Sequence, residues 1–569
     1  MADRTKNKRT RDDPPSSFPP DIVCTSKGAH GRNAIELGAL FSLAAVGLYF
    51  FAVIESAMNL PELPTKRDPG NLFGNLNMAK LVASSHASAS AHYGGGGGGS
   101  RSLQSASAAA VGSNTAPSAT WPVHFKDEIN NVETIIHPGD LVTKMTVPKF
   151  WSPPLHNREL YTREQAMSVG TCVEADEDGN HVRGDACPVH KRTIFIAIAS
   201  YRDFQCRKTV ESAFSRARNP DRLRVGVVDQ IVNGEDVLCN EPIEPCSDNP
   251  NQALCKYQDQ IDVYEMPAEL SVGPVVARHI GDRLYRGEYY ATQSDAHVTF
   301  TQDWDADIIS QMEATHNEMA VLTTYLTDVQ GSIGPNGNSL RKTRPIMCNT
   351  YYEGGPQGLH LRHGSQPERF PSIHGSPQLA PWWAAGYSFS RGHFIVNVPY
   401  DLYQPMIFQG EEMSIGIRGW TVGYDFYAPE RSVCFHHYAV GKNAKIRNKV
   451  HHFWDNSDRY AGTGRKAMAR LLGIVHMNPE VDPSKWDHTE EDIYGLGAVR
   501  TPEKFYTLFG IDVVKKTTQG HLCMLVDEGE GKMHKMFTPK LRADGMGIDY
   551  NEINYRWKDP RPDLKQPRP

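Results

Sequence analysis

A short apolar run at residues 193–199 constrains the fold of this chain more than any other segment. The run reads Thr-Ile-Phe-Ile-Ala-Ile-Ala and is rich in β-branched residues, which is typical of a buried strand. Apolar residues recur at helical spacing over 207–217, and a second strand-like run covers 223–228. This order of strand, helix and strand predicts an α/β protein with a parallel sheet, whose ligands bind beyond the carboxyl ends of the strands.

The first strand runs into four residues that would lie at this binding edge, namely Ser200, Tyr201, Arg202 and Asp203. We regard all four as candidate contacts for a nucleotide. Arg202 suits a phosphate or a uracil carbonyl, and Asp203 suits the uracil or the ribose. The alternative interpretation is a turn with a surface ion pair.

A second candidate contact follows a third predicted strand at 261–264. Gly273 and Pro274 predict the start of a helix, and glycine also permits a ligand to approach the backbone closely. Arg278 would lie near the helix start, where an anion is favoured. Gly273 and Arg278 are therefore candidate contacts for a diphosphate, although many helices simply begin with Gly-Pro.

Asp295 and His297 form a candidate metal pair. Side chains two positions apart project from the same side of an extended backbone, so one carboxylate and one imidazole could hold the same divalent cation. Such a cation keeps open positions for the oxygens of a nucleotide diphosphate. Mixed carboxylate and imidazole ligands favour Mn²⁺, with Mg²⁺ as the alternative. Asp303 and Asp305 compete as an acidic motif, but we expect them to begin a helix.

The N-terminal part predicts a membrane anchor. Residues 37–54 carry no charge and are long enough, as a helix, to cross a bilayer, and Lys and Arg concentrate before them. We predict a cytosolic tail (1–33), a signal anchor (34–58) and a flexible, disordered stem (59–150), because Ala, Ser, Gly and His dominate up to residue 121. A cleaved signal peptide is the alternative, but its apolar region would be shorter.

The cysteines and the net charge narrow the predicted compartment and the predicted partners of the protein. Nine of the ten cysteines follow the apolar segment, and five of them fall between Cys187 and Cys255. This clustering predicts disulfides in an oxidising compartment with one thiol left over, and no spacing resembles a paired zinc knuckle. The formal net charge of −6 gives no field that would attract nucleic acid, so no nucleic-acid partner is predicted.

A series of ordered motifs between residues 193 and 512 resembles one enzyme family. The motifs are Ile-Ala-Ser-Tyr-Arg-Asp (198–203), Val-Gly-Val-Val-Asp-Gln (225–230), Gly-Pro-Val-Val-Ala-Arg (273–278), Gly-Glu-Tyr-Tyr (287–290), Ser-Asp-Ala-His (294–297), Asp-Trp-Asp (303–305), Trp-Trp-Ala-Ala-Gly-Tyr-Ser-Phe (382–389), Phe-Gln-Gly-Glu-Glu (408–412), Arg-Gly-Trp-Thr (418–421), Tyr-Asp (424–425), His-His-Tyr (436–438), Tyr-Gly-Leu-Gly (494–497) and Arg500. They are similar to those of polypeptide α-N-acetylglucosaminyltransferases related to the Skp1 hydroxyproline-modifying enzyme and to protozoan mucin-type transferases. One departure is Ala296, where the family usually has Ser.

This resemblance implies a Rossmann-like GT-A glycosyltransferase fold, a UDP-sugar donor, a divalent metal and retention of anomeric configuration. It implies His436 as the third metal ligand, with His437 as the alternative. Glu411 and Glu412 would hold the donor sugar through its hydroxyls, or else be ordinary acids at a helix start. Trp382 and Trp383 could stack on a sugar or an acceptor peptide, and core packing is equally plausible for one of them.

Together these patterns predict a Golgi membrane protein, single-pass and type II, with a luminal GT-A domain at 190–450 and a C-terminal extension with a polar tail at 451–569. The predicted reaction moves N-acetylglucosamine from UDP-GlcNAc in α linkage to Ser or Thr hydroxyls of secretory or mucin-like proteins. The alternatives are another UDP-hexose, a hydroxyproline acceptor, a non-catalytic sugar-binding module or a metal-dependent phosphodiesterase.

Overall fold

The predicted first strand lies in the middle of a nine-stranded mixed sheet. The computed structural model describes residues 123–124, 131–175, 181–355, 357–555 and 557. The strands are β1 Val123–His124, β2 Val132–Ile136, β3 Lys144–Pro148, β4 Thr171–Ala175, β5 His181–Arg183, β6 Ile194–Tyr201, β7 Leu223–Ile231, β8 Ile261–Pro267, β9 Tyr290–Asp295, β10 Val298–Phe300, β11 Ala320–Thr323, β12 Arg344–Pro345, β13 Thr350–Glu353, β14 His360–His363, β15 Glu368–Arg369, β16 Gln378–Leu379, β17 Tyr387–Arg391, β18 Asp425–Ala428, β19 Cys434–His436, β20 Ile511–Asp512 and β21 Thr517–Thr518. The large sheet has the order β1-β8-β7-β6-β9-β17-β11-β18-β16.

Helices alternate with the strands in the first half of this sheet, as the sequence predicts. The α-helices are α1 Arg163–Ser168, α2 Cys206–Ser215, α3 Ala253–Lys256, α4 Pro274–Asp282, α5 Trp304–Glu313, α6 His393–Asn397, α7 Glu411–Val422, α8 Gly441–Arg447, α9 Thr463–Ile474, α10 Glu491–Tyr494, α11 Pro502–Leu508 and α12 Leu522–Phe537. Strands β8, β7, β6 and β9 pair in parallel. The predicted α/β class with a parallel sheet is therefore confirmed for this half.

The apolar side chains of β6 pack on both faces of the sheet. Ile196 and Ile198 belong to one hydrophobic cluster together with Phe214 of α2, whereas Phe195 belongs to a second cluster together with Ile280 of α4. Successive side chains of a strand point to opposite faces, so a continuous apolar run fits a strand covered on both sides. Helices α2 and α4 therefore lie on opposite faces, and both begin near the binding edge, after the carboxyl ends of β6 and β8.

The second half of the sheet is mixed. Strand β17 pairs antiparallel with both β9 and β11, and β11 pairs in parallel with β18. A separate two-stranded sheet joins β10 to β19 in antiparallel register, with Val298 opposite His436. This small sheet brings the C-terminal histidine motif beside the end of β9.

Four disulfides confirm the prediction from cysteine clustering. They join Cys172 to Cys187, Cys206 to Cys239, Cys246 to Cys255 and Cys348 to Cys523. Among the described residues Cys434 is a free, buried thiol. The last disulfide ties the C-terminal helix α12 to the segment before β13.

The membrane topology predicted from the sequence is contradicted. Within the described ranges, no helix is both long and apolar enough to cross a bilayer. The longest of these helices, α12, has 16 residues, whereas a spanning helix needs about 20. The predicted signal anchor at 34–58 lies outside the described residues. The absence of such a helix stands against the predicted type II anchor, and with it against the predicted luminal orientation and Golgi localisation.

The predicted stem (59–150) also extends too far along the chain. Residues 132–148 fall in the predicted disordered stem, yet β2 and β3 form an antiparallel hairpin there. Met145 and Val147 of β3 are buried and belong to the cluster around Phe195. Apolar and polar residues alternate over only one short strand here, and the polar residues before that strand mask this weak sequence signal. The other predicted boundaries, at 190, 450 and 451, stay predictions.

Candidate active site

The Asp295–His297 pair lies where the large sheet meets the small one. Asp295 ends β9, and its backbone N–H donates to the carbonyl of Gly386 at 3.1 Å. His297 lies just before β10, whose antiparallel partner β19 ends at His436. A Cβ on Gly386 would lie 3.1 Å from Oδ2 of Asp295, so this glycine leaves room for the carboxylate.

Asp295, His297 and His436 form a cluster that could hold one metal ion. Their ligand atoms all lie within 4.8 Å of one another. Nε2 of His436 is 3.4 Å from Oδ2 of Asp295, and the two imidazole rings stand nearly perpendicular with centroids 4.5 Å apart. The side chains are 24%, 20% and 11% exposed, so the cluster is partly open to solvent. One carboxylate and two imidazoles form a donor set that suits a divalent transition metal.

Asp203 fixes the orientation of His297. Its Oδ2 lies 2.6 Å from Nδ1 of His297 and 3.5 Å from Nη2 of Arg447. A carboxylate on one ring nitrogen sets the tautomer and leaves the other nitrogen free to bind a metal. Burial raises the pKa of Asp203, but His297 and Arg447 outweigh it and leave that pKa below its usual value. The sequence had suggested a uracil or ribose contact for this side chain.

Arg278 links the cluster to the acidic start of α7. Its Nη1 donates to both carboxylate oxygens of Glu411, at 2.6 and 2.7 Å. Its Nη2 donates to Oδ1 of Asp295 at 3.2 Å. The predicted diphosphate contact therefore lies beside the predicted metal site, although two carboxylates already share its charge.

Glu411 and Glu412 open helix α7 after Gly410, whose φ of 99° requires a glycine-like backbone. Oε1 of Glu412 accepts from the backbone N–H of Ala385 at 3.0 Å, and Oε2 accepts from the hydroxyl of Tyr325 at 2.8 Å. Burial raises the pKa of both carboxyl groups to about 7. Both acids thus lie at the helix start, as predicted, and both could carry a proton near neutral pH.

Of the remaining strand-end candidates, Arg202 is held by ion pairs with other parts of the protein. Arg202 has a positive φ of 48° and pairs with Asp236 at 2.7 Å and Glu235 at 2.8 Å, and its side chain is only 9% exposed. Ser200 is buried, and the pKa of Tyr201 is raised to about 12 by burial.

Gly273 precedes helix α4, as predicted, with φ at 101°. A Cβ at this position would lie 3.1 Å from the ring of Phe453 and 3.2 Å from the carbonyl oxygen of Ile407. The backbone is therefore approached closely by protein atoms at this point.

Trp382 and Trp383 are both about 1% exposed. Trp382 packs edge-on against Phe505 at 5.2 Å between centroids, and Trp383 lies 6.2 Å from Tyr400. Neither ring offers a face to a ligand in this structure, because both are enclosed by other side chains. The sequence leaves core packing open for one of the two tryptophans, and in the structure both rings pack in the core.

The structure places the members of two residue pairs, which the sequence leaves open as alternatives, in different surroundings. His436 belongs to the metal-capable cluster, whereas Nε2 of His437 lies 2.7 Å from the hydroxyl of Thr299. Asp303 precedes helix α5 and Asp305 lies in its first turn, as expected. Asp305 is fully buried and pairs with Arg222.

Sequence reasoning missed Tyr325, Ala385 and Arg447. Tyr325 and Ala385 anchor Glu412, and Arg447 approaches Asp203. These contacts join residues far apart in the chain, so local spacing carries no signal for them. Ala385 alone lay within a recognised motif, the Trp-Trp-Ala-Ala-Gly run.

Comparison with known structures gives weak overall similarity. The crystal structure of GalNAc-T7 with UDP, GalNAc and Mn²⁺ aligns at a TM-score of 0.37 and 14% identity, over 58% of this chain and 58% of that chain. S. aureus TarS 1-349 in complex with UDP-GlcNAc aligns at 0.27 and 10% identity, over 49% and 70%. The mannosyltransferase PcManGT from Pyrobaculum calidifontis, with GDP-Man and Mn²⁺, aligns at 0.26 and 9% identity, over 52% and 77%.

All three TM-scores lie below 0.5, so the assignment of this chain to a family rests on its sequence. Among curated proteins none matches the chain significantly. The profile of the family described as "Glycosyltransferase (GlcNAc)" matches residues 193–248 and 232–515, which together span more than half of the 569 residues. These matches include the strand-end loop, the Asp295–His297 pair, the acidic start of α7 and His436. The chain therefore belongs to the glycosyltransferase (GlcNAc) family.

Proposed function

We propose that this glycosyltransferase moves N-acetylglucosamine from UDP-GlcNAc to Ser or Thr hydroxyls of an acceptor polypeptide, in α linkage and with retention of configuration. The proposal includes the GT-A class of the domain and a link to the Skp1-related and mucin-type branch. The observation that carries it is the cluster of Asp295, His297 and His436 beside Arg278. A cation site next to a guanidinium suits the diphosphate of a nucleotide sugar.

The donor set fits a divalent cation. One carboxylate oxygen and two imidazole nitrogens converge within 4.8 Å, and Asp203 keeps Nε2 of His297 available. We favour Mn²⁺ over Mg²⁺, because Mg²⁺ prefers oxygen ligands. When bound, the cation would neutralise negative charge that develops on the UDP leaving group.

Arg278 supplies a second positive group at the same place. Its guanidinium now divides its hydrogen bonds between Glu411 and Asp295. A diphosphate oxygen that entered here would compete with Glu411 for Nη1. Because the arginine is already held from both sides, little side-chain entropy would be lost when it binds the donor.

Glu412 would hold the donor sugar. Its carboxyl group is fixed by Ala385 and Tyr325, and a pKa of about 7 allows it to accept or donate a hydrogen bond to a sugar hydroxyl. Glu411 acts through Arg278. Accurate placement of the sugar contributes strongly to rate. We assign neither acid as a nucleophile.

The decisive experiment measures UDP release by the purified chain with Mn²⁺ and a panel of UDP-sugars, with and without a Thr-rich peptide. We expect peptide-dependent turnover of UDP-GlcNAc, and its loss by a factor of about 10³ or more in the Asp295→Ala/His297→Ala double variant. His437→Ala is the matched control, since His437 lies next to the cluster without belonging to it, and it should retain activity.

Four other outcomes would contradict the proposal in different ways. Turnover of a different UDP-sugar would replace the donor, and turnover that requires a hydroxyproline peptide would replace the acceptor. Sugar binding without turnover of any donor would point to a non-catalytic module. Activity that survives the double variant would remove the metal cluster from the site.

A further inference from the structure

The backbone of the Trp-Trp-Ala-Ala-Gly motif (382–386) contacts two groups on which the proposed reaction depends. The carbonyl oxygen of Gly386 accepts from the backbone N–H of Asp295 at 3.1 Å. One residue earlier, the N–H of Ala385 donates to Oε1 of Glu412 at 3.0 Å. Two successive residues therefore join the metal-capable cluster to the acid that would hold the donor sugar.

The beginning of this motif is fixed by side chains of the core. Nε2 of His363 lies 2.9 Å from the carbonyl oxygen of Trp383. The hydroxyl of Thr323 accepts from the backbone N–H of Ala384 at 2.9 Å. His363 and Thr323 are both buried. Residues 383 and 384 can therefore shift only if buried hydrogen bonds break, which is costly.

The end of the motif is held by Gln293. Its Nε2 donates to the carbonyl oxygen of Ala385 at 2.5 Å. Gln293 lies two residues before Asp295 in β9, and side chains two positions apart project from the same face of a strand. Both side chains are partly exposed. Gln293 therefore reaches Ala385 from the face of β9 that carries the metal-capable cluster.

Arg278 is the weaker support for the same carbonyl oxygen. Its Nη2 lies 3.4 Å from the oxygen of Ala385 and also donates to Oδ1 of Asp295 at 3.2 Å. In the proposed reaction this guanidinium would turn toward the diphosphate of the donor. Gln293 would then be the side chain that still holds Ala385 when the donor is bound.

We propose that Gln293 is a positioning residue, which holds the peptide between Ala385 and Gly386 so that Glu412 keeps a fixed place relative to Asp295. The inference rests on the proposed function, which assigns Glu412 to the donor sugar. Gln293 acts through the peptide and needs no contact with the sugar or the cation. Misplacement of such a group by about 1 Å can cost about 100-fold in rate.

The loss of Gln293 should affect Glu412 more than Asp295. The backbone of β9 is also held by its antiparallel ladder with β17, in which Ser294 pairs with Tyr387. This ladder keeps Asp295 in place without the glutamine. We therefore expect a change in turnover and no change in the affinity for the cation and the nucleotide.

The test compares Gln293→Leu with Thr292→Val, since each removes one side-chain hydrogen bond to a backbone carbonyl and keeps a similar volume. The hydroxyl of Thr292 donates to the carbonyl of Ser388 at 2.8 Å, away from Ala385. Gln293→Leu should lower kcat for transfer from UDP-GlcNAc by about 10–100-fold. The Kd of UDP with Mn²⁺, measured by calorimetry, should stay the same. Thr292→Val should change neither quantity.

A double-variant cycle with Glu412→Gln tests whether the effect passes through Glu412. If it does, Gln293→Leu costs little in a chain that already carries Glu412→Gln, so the two losses do not add. Hydrogen–deuterium exchange at the amide of Ala385 gives a measure that does not depend on activity. This exchange should be faster in Gln293→Leu, because the bond to Glu412 loosens, and unchanged in Thr292→Val.

The results separate a positioning role from a merely structural one. An unchanged kcat in Gln293→Leu, losses that add in the cycle, or a weaker complex of UDP and Mn²⁺ would overturn the proposal. Equal losses in Gln293→Leu and Thr292→Val would also overturn it, as would unchanged exchange at Ala385. If the unaltered chain transfers no sugar, the proposed function fails, and the exchange at Ala385 still decides whether Gln293 holds this peptide.

Discussion

Two acidic motifs lie eight residues apart in this chain and have opposite surroundings. Asp305 is fully buried and accepts from the backbone N–H groups of Arg218 at 2.6 Å and Asn219 at 3.1 Å, and from Nε of Arg222 at 3.0 Å. Asp295 is 24% exposed and faces Arg278 at 3.2 Å and Nε2 of His436 at 3.4 Å.

The difference lies in how completely each carboxylate is satisfied. Backbone donors and a buried arginine use up the acceptor capacity of Asp305, which leaves nothing to bind a ligand. Asp295 instead shares its surroundings with side chains that are themselves ligands or anion binders. Positions spaced alike in sequence therefore serve stability in one case and chemistry in the other, and the deciding contacts come from distant segments.

The largest effect expected from this comparison is on folding. Asp305→Ala should lower the free energy of unfolding by about 3–5 kcal/mol, because Arg222 would be left buried without its counter-ion. A urea titration followed by circular dichroism measures it. The double variant Arg222→Met/Asp305→Leu should recover most of the loss, because no unpaired charge remains. A cost below about 1 kcal/mol for the single variant would mean that Asp305 is not structural.

A smaller effect is expected one contact away from the metal-capable cluster. Asp203→Asn should weaken Mn²⁺ binding by about 10–100-fold, since His297 would lose the carboxylate that sets its tautomer. Electron paramagnetic resonance of free Mn²⁺ measures the affinity directly. Arg447→Gln removes the other neighbour of Asp203 and should change the affinity much less. Equal losses in the two variants would indicate a general electrostatic effect and contradict an orienting role.

The smallest effect concerns Asp282, a buried acid that forms no ion pair within the described ranges. Burial raises its pKa to about 8, although the backbone N–H of Tyr400 donates to it. Its unfolded pKa is near 3.9, so the folded state binds the extra proton between about pH 4 and 8 and loses stability as the pH rises. Compared with the unaltered chain, the Asp282→Asn variant should therefore be more stable at pH 8 than it is at pH 5. Thermal melts at both pH values test this, and a difference independent of pH would refute it.

Local structure was largely readable from the sequence, because periodicity reports on neighbours within a turn or a strand. The run at 193–199 is strand Ile194–Tyr201, the helical spacing at 207–217 is helix Cys206–Ser215, and the run at 223–228 is strand Leu223–Ile231. The glycine and proline at 273 and 274 begin a helix as predicted.

Long-range contacts were not readable in the same way. The partner of Arg278 is Glu411, 133 residues later, and the antiparallel strand β17 enters the sheet between β9 and β11. The burial of Trp382 and Trp383 depends on Phe505 and Tyr400, from other segments. Family resemblance supplied His436, which spacing alone could not connect to Asp295.

The disulfide from Cys348 to Cys523 closes a covalent ring of the chain that contains part of the candidate site. Glu411, Glu412 and His436 all lie within the 175 residues that it spans. A protease that cut the chain once inside this ring would leave both fragments attached to each other. A nicked protein would therefore migrate as one species until a reductant was added, and its site residues would remain tethered to the core in the meantime.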